Sequence, residues 1–295
     1  MKKSFRVLIT EKCNANCPNC FNANYRIENE MSVEKFERLS KYLSEHGIKT
    51  LKIMGGEPTV HTEFEKIVSI AQKYFNSIII FTNAVNERIK NIELRETDSI
   101  TYNFTFINCN FDITKLLLEQ LGKRSIEVQI SSDSDEKNIL DRMKLLNEVC
   151  DFSDKVQYNL TLNCIENIFL KEDIIVRKWN SVVDYIENDL NMDYNVDHNI
   201  PKCFSSQMKL NKPCKLCSVE CSGLIDTDLY LRYCNQMPKR IIKLLTNNEF
   251  VDYNIVISNL KNNFEEKINN NYEKKCYKCM NFKKTCNGGC FVHKY

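Results

Sequence analysis

Cys13-Asn-Ala-Asn-Cys17-Pro-Asn-Cys20 decides how this chain is read. It follows Phe5-Arg-Val-Leu-Ile-Thr10, an apolar run with strand character. Three cysteines at C-x3-C-x2-C spacing converge on one centre when the loop between them curls. Thiolates are soft ligands suited to zinc or to iron–sulfur clusters, and structural zinc normally takes four ligands. Three without an evident fourth suggest a cubane cluster with one open iron. An open position is where something else coordinates, so such a site is built for chemistry. A three-cysteine fragment of a zinc site is the alternative.

Composition narrows the class. The chain has 295 residues, long for one domain and short for two large ones. Lysine and arginine total 41 against 39 acidic residues, which implies no polyelectrolyte partner and no nucleic acid. Cysteine is the anomaly, with 15 copies. A secreted disulfide scaffold is usually shorter and carries a signal peptide, and an odd total argues against full pairing. No apolar run has the length of a membrane span. The expectation is a reduced, cytoplasmic metalloprotein.

Outward from the cysteines, strands and helices alternate. Ser32 caps a helix from residue 33 to about 46, with Gly47 as its stop. A strand over 50–54 ends in Gly55-Gly56-Glu57-Pro58, and a capping-box pattern at Thr62–Glu65 opens a helix to about residue 75. Further strands are expected over 77–82, 101–107, 126–131 and 156–162, with helices over 113–121, 139–149 and 173–190. That alternation implies an α/β fold of parallel strands and crossover helices. Residues 191–202 read as a linker between an α/β domain of residues 1–190 and a cysteine-rich domain of residues 203–295.

Several residues invite a chemical reading and a plain one. Gly55 and Gly56 let backbone approach a ligand, and Pro58 fixes the chain direction after them. Ser131 closes a strand and is either a ligand-facing hydroxyl or a turn cap. Cys109 and Cys164 lie beyond strand ends and read as packing residues. His61 reads as a loop or capping residue, and Cys150 and Trp179 as core. The tail carries Cys214-x2-Cys217-x3-Cys221-x12-Cys234 and Cys276-x2-Cys279-x6-Cys286-x3-Cys290. A pair of structural zinc sites would also fit that count.

On the three-cysteine loop, the preceding strand and Gly55–Pro58, the chain resembles the radical S-adenosylmethionine (SAM) enzymes. The resemblance implies a partial (β/α)6 barrel and a [4Fe–4S] cluster on Cys13, Cys17 and Cys20, with SAM on the open iron. It implies reductive cleavage of SAM to a 5′-deoxyadenosyl radical that abstracts hydrogen from a substrate. Gly55, Gly56, Glu57 and Pro58 match the segment that binds the amino group of SAM, and Phe21 the aromatic beside its adenine. Thr82 and Asn83 match a Thr-Asn-Gly segment in which Ala84 replaces the glycine. Ser131 would reach the ribose or carboxylate of SAM, and Cys109 or Cys164 would donate hydrogen as in some radical SAM epimerases.

Beyond residue 203 the spacing resembles the SPASM domain, which holds auxiliary [4Fe–4S] clusters, although Leu229 stands where a glycine is usual. The resemblance implies a first auxiliary cluster on Cys221, Cys234, Cys290 and Cys217, or Cys214 in place of Cys217. A second would use Cys276, Cys279 and Cys286, with the family's last cysteine beyond Tyr295. Cys214 or Cys203 would then cross over, an iron would stay open, or only one auxiliary cluster exists. The implied substrate is a ribosomally made peptide or protein side chain, to be crosslinked, epimerised or oxidised. The alternative is a sugar or aminocyclitol dehydrogenase or epimerase. A flavodoxin or ferredoxin would supply electrons. Cys13 is so near Met1 that a separate leader-peptide-binding protein or direct docking is expected.

Overall fold

The structure is a computed structural model that describes residues 4–17, 20, 28–103, 123–149, 156–162, 171–196, 200, 202–210, 223–234, 237, 239–270, 276, 278–281, 284 and 286. Phe21, Cys109, Cys150, Cys164, Cys214, Cys217, Cys221, Cys290 and the expected helix over 113–121 lie outside these residues. In chain order the elements begin β1 (Ser4–Thr10), α1 (Val33–Glu45), β2 (Thr50–Gly55), α2 (Phe64–Tyr74), β3 (Ser77–Thr82) and β4 (Ser99–Asn103). Next come β5 (Lys123–Ile130), α3 (Glu136–Val149), β6 (Val156–Leu162), α4 (Glu172–Asp184), β7 (Tyr194–Val196) and α5 (Lys202–Ser205). The chain closes with β8 (Leu224–Ile225), β9 (Tyr230–Arg232), β10 (Arg240–Lys243), β11 (Leu245–Thr246), β12 (Glu249–Phe250) and α6 (Tyr253–Asn270).

Two compact units result, one of Met1–Arg124 and Ser218–Glu265, the other of Ser125–Cys217 and Glu266–Tyr295. In the first, β1, β2, β3 and β4 are parallel neighbours in that order. Their carboxyl ends therefore share one edge of the sheet, where open α/β sheets bind ligands. β8 adds to the other side of β1 in parallel, pairing Arg6 with Leu224 and Val7 with Ile225, and β9 and β10 continue it antiparallel. Leu8, Met54 and Leu224 pack into one core group, joined by Phe81. That apolar contact, with the β1–β8 pairing, places Leu224 and Ile225 with the N-terminal strands.

Local signals explain the element ends. Ser32 accepts from the amide of Lys35, and Gly47 takes a left-handed φ of 79° after α1. The expected capping box at Thr62 is replaced by other partners. Glu30 holds the Thr62 amide and hydroxyl, and the ring of His61 accepts from the Glu63 amide. α2 thus starts at Phe64 with no side-chain cap of its own. Asn247 and Asn248 turn the β11–β12 hairpin with positive φ, the conformation that two-residue hairpin loops need.

The second unit places β5, β6 and β7 side by side, with β6 and β7 parallel. Within the expected linker, Tyr194 is fully buried on β7, and its hydroxyl donates to the carbonyl of Lys209. Trp179, fully buried on α4 as expected of a core residue, donates to the same carbonyl. No described helix is long and apolar enough to cross a membrane.

Candidate functional site

At the carboxyl edge of the first unit, three loops are laced together by backbone and side-chain hydrogen bonds. The amide of Gly56 donates to the carbonyl of Thr10 at 2.9 Å, and that of Glu57 to the carbonyl of Lys12 at 2.8 Å. The double glycine therefore lies along the chain immediately ahead of Cys13. A Cβ on Gly56 would sit 2.2 Å from the Lys12 carbonyl oxygen, so only glycine permits this approach.

Glu57 is buried, and its carboxylate is fully used inside the protein. Oε1 accepts from the Thr59 amide at 3.1 Å, the Thr59 hydroxyl at 2.7 Å and the Thr82 hydroxyl at 2.8 Å. Oε2 accepts from the Asn83 amide at 2.8 Å. Burial pushes this carboxyl above the usual range, with the donors pulling the other way. The glutamate ties the end of β2 to the end of β3.

Asn83 carries the lacing back to the cysteines. Its Nδ2 donates to Oδ1 of Asn14, inside the cysteine loop, at 2.8 Å, and its Oδ1 accepts from the Val85 amide. Within the loop, the Cys20 amide donates to the Cys17 carbonyl, and Cys13 Sγ accepts from the Ala15 amide. Cys13, Cys17 and Cys20 are all half-buried. Among the described residues no three Cys, His, Asp or Glu side chains are gathered into a metal-sized group.

Ala84 has φ 52° and Leu229 has φ 65°, both in the left-handed region. At both positions the resembled patterns have glycine, the residue that left-handed backbone favours. Both side chains are buried, so packing offsets the backbone strain.

Sequence reading missed four participants: Glu11, Asn14, Asn29 and Arg232. Only an arginine inside the apolar strand Tyr-Leu-Arg was a usable signal, since a charge there needs a buried partner. In the second unit, Ser131 is buried, with its hydroxyl 2.9 Å from that of Ser134, and Lys178 donates to the carbonyls of Ser132 and Ser134. Of the tail cysteines described, Cys276 and Cys286 are buried, Cys234 half-buried, and Cys279 and Cys203 exposed. The Cys279 amide donates to the Cys276 carbonyl at 3.1 Å.

Comparison with known proteins settles what the edge belongs to. Residues 7–145 match the model of the Radical SAM superfamily. This stretch is a radical SAM domain. The cofactors of that superfamily are a [4Fe–4S] cluster and SAM. The residues present fit them: three thiols on one short loop, and a glycine pair at its base, where a Cβ on Gly56 would clash with the Lys12 carbonyl. The radical SAM domain is similar to a probable GTP 3′,8-cyclase of Thermococcus kodakarensis, at 34% identity over 27% of this chain and 27% of that protein. It is also similar to the antilisterial bacteriocin subtilosin biosynthesis protein AlbA of Bacillus subtilis, at 29% identity over 30% of this chain and 20% of that one. The chain thus aligns with about a quarter of the length of these curated relatives. In fold, Streptococcus suis SuiB bound to SAM superposes with TM-score 0.67 and 16% identity over 99% of this chain and 73% of its own. The parallel α/β architecture is accordingly that of the radical SAM partial barrel.

Proposed function

We propose that this protein is a radical SAM/SPASM enzyme that modifies a peptide or protein side chain. The observation carrying the first half is the hydrogen-bonded edge on which Gly56 and Glu57 hold the base of the cysteine loop and Asn83 holds its interior. When bound, the [4Fe–4S] cluster supplies the electron that splits SAM and leaves a hydrogen-abstracting 5′-deoxyadenosyl radical. Cys13, Cys17 and Cys20 would hold the cluster. The backbone of Gly55–Pro58 would take the amino group of SAM, and Thr82 and Asn83 fix that backbone through Glu57. Phe21 and Ser131 would contact the rest of SAM. Cys234, Cys276, Cys279 and Cys286, with the neighbouring cysteines of residues 203–295, would hold one or two auxiliary clusters.

Peptide as substrate is supported by two likenesses. AlbA is named for bacteriocin biosynthesis, and SuiB bound to its precursor peptide SuiA matches this fold with TM-score 0.68. A small-molecule substrate is the second reading, favoured by the relatives named GTP 3′,8-cyclase. A flavodoxin or ferredoxin would reduce the enzyme in either case.

Anaerobically reconstituted protein with dithionite should release 5′-deoxyadenosine from SAM, and Cys17→Ala should abolish that release. The triple variant Cys13→Ala, Cys17→Ala, Cys20→Ala should still bind iron through its C-terminal cysteines. A folded triple variant without iron would remove the SPASM half of the proposal. Short peptides encoded beside this gene should change mass on incubation. If they do not, while GTP, a sugar or an aminocyclitol is converted, the second reading replaces the first.

A further inference from the structure

The loop bearing the three cysteines leaves and re-enters the fold through a narrow neck. The Glu11 amide donates to the Asn29 carbonyl at 2.9 Å, the Met31 amide to the Ile9 carbonyl at 2.8 Å, and Thr10 bridges Glu30 antiparallel. Both sides of that neck are gripped by the β8–β9 hairpin. On one side, Nδ2 of Asn29 donates to the Thr227 hydroxyl at 2.9 Å and to Asp228 Oδ1 at 3.1 Å, at the hairpin turn. On the other, the buried carboxylate of Glu11 stands 3.7 Å from the buried guanidinium of Arg232 on β9.

The hairpin is itself rigid where it grips. Asp226, fully buried, accepts the turn amides of Asp228 and Tyr230 on Oδ1. Its Oδ2 accepts from Nε and a terminal nitrogen of Arg232 and from Nε of Arg240. Arg240 also reaches Asp228 at 2.7 Å. Each end of this contact lies two residues ahead of a cysteine, Glu11 before Cys13 and Arg232 before Cys234. Such an interlocked buried network fixes one arrangement of the groups around it.

We infer that Glu11, Asn29 and Arg232 are positioning residues that lock the neck of the cysteine loop to the β8–β9 hairpin, so that the mount of Cys234 and the mount of Cys13 move as one body. This rests on the proposed function only for its consequence, the steadying of the loop that takes the cluster. The lock itself is a property of the chain.

Two measurements on the whole 295-residue chain separate the two ideas. In metal-free protein, Glu11→Gln, Asn29→Ala and Arg232→Gln should each speed amide exchange at Glu11 and Met31 at least tenfold, leaving Ile78 and Ile80 on β3 unchanged. Equal acceleration at β3, or none at the neck, overturns the inference. If Arg232→Gln fails to fold, the other two variants decide it alone. In reconstituted protein, Glu11→Gln should weaken the SAM-induced change in the cluster's electron paramagnetic resonance spectrum and slow 5′-deoxyadenosine release severalfold at unchanged iron content. An unchanged spectrum and rate would overturn the coupling to the cluster. Failure of the parent protein to cleave SAM would instead defeat the proposed function and leave the exchange result standing.

Discussion

Asn83 and Asn14 are joined side chain to side chain, Nδ2 of the first donating to Oδ1 of the second at 2.8 Å. The contact ties the end of β3 to the middle of the cysteine loop across 69 residues of sequence. The same Asn83 turns the chain by accepting from the Val85 amide.

Asn83→Ala removes both bonds. Each is worth about 1 kcal/mol net, and the Val85 amide loses its acceptor. The melting temperature should fall by an amount matching a loss of about 1–3 kcal/mol. SAM cleavage should fall further than stability does, because the loop loses its hold while Glu57 keeps the Asn83 amide. Parallel calorimetry and 5′-deoxyadenosine assays check this; equal losses in both would mean that the bond serves the fold alone.

Gly56→Ala sets a methyl group against the backbone at Lys12 and Glu11, 2.2 Å and 2.8 Å from their carbonyl oxygens. Backbone cannot rotate aside, so the glycine loop and the base of the cysteine loop must part. The cost should be on the order of 1–3 kcal/mol or more, with SAM binding lost before the fold. Equilibrium binding of SAM to the reconstituted variant measures it, and parent-like affinity would contradict the close approach.

Ala84 and Leu229 share a left-handed backbone but differ in what their side chains do. At Ala84, Gly relieves strain of roughly 1–2 kcal/mol and gives back about 0.4–1 kcal/mol through the unfolded chain. Ala84→Gly should therefore be neutral to mildly stabilising. Leu229 is only 2% exposed, so Leu229→Gly also removes a core side chain at a cost of about 2–5 kcal/mol. Thermal denaturation of the pair should show opposite signs or a gap of several degrees.

Asp98 gives the pH dependence. Burial works to raise its carboxyl, but Arg95, Gln72 and the amides of Arg95 and Ile78 outweigh it and hold the group below its usual value of 3.8. A depressed acid contributes stability that is full above its unfolded value and is lost as pH falls through the folded one. Asp98→Asn should lower stability at neutral pH and flatten its fall below about pH 4, a window that follows from the unfolded carboxyl value. Urea titrations across that range test it; parallel curves for parent and variant would refute it.

Sequence alone determined the residue types offered to the site and the local frame. Thiol spacing after an apolar strand, a double glycine closing the next strand, and the run of three isoleucines in Ser77–Thr82 are local patterns. Short-range physics suffices to read them, because side-chain softness and strand alternation do not depend on distant residues. Tertiary structure alone decided which residues hold the site together. Glu57 proved to be the buried tie between two strand ends, its carboxylate filled by Thr59, Thr82 and Asn83. Residues 224–232 proved to extend the sheet beside β1, a pairing that turns on Leu224 meeting Leu8 and Met54. Partners 69 or more residues apart, such as Asn14 with Asn83 and Asn29 with Thr227, become neighbours only once parallel strands bring their ends to one edge. Nothing in a one-dimensional pattern encodes that adjacency, because it is the sheet's strand order that creates it.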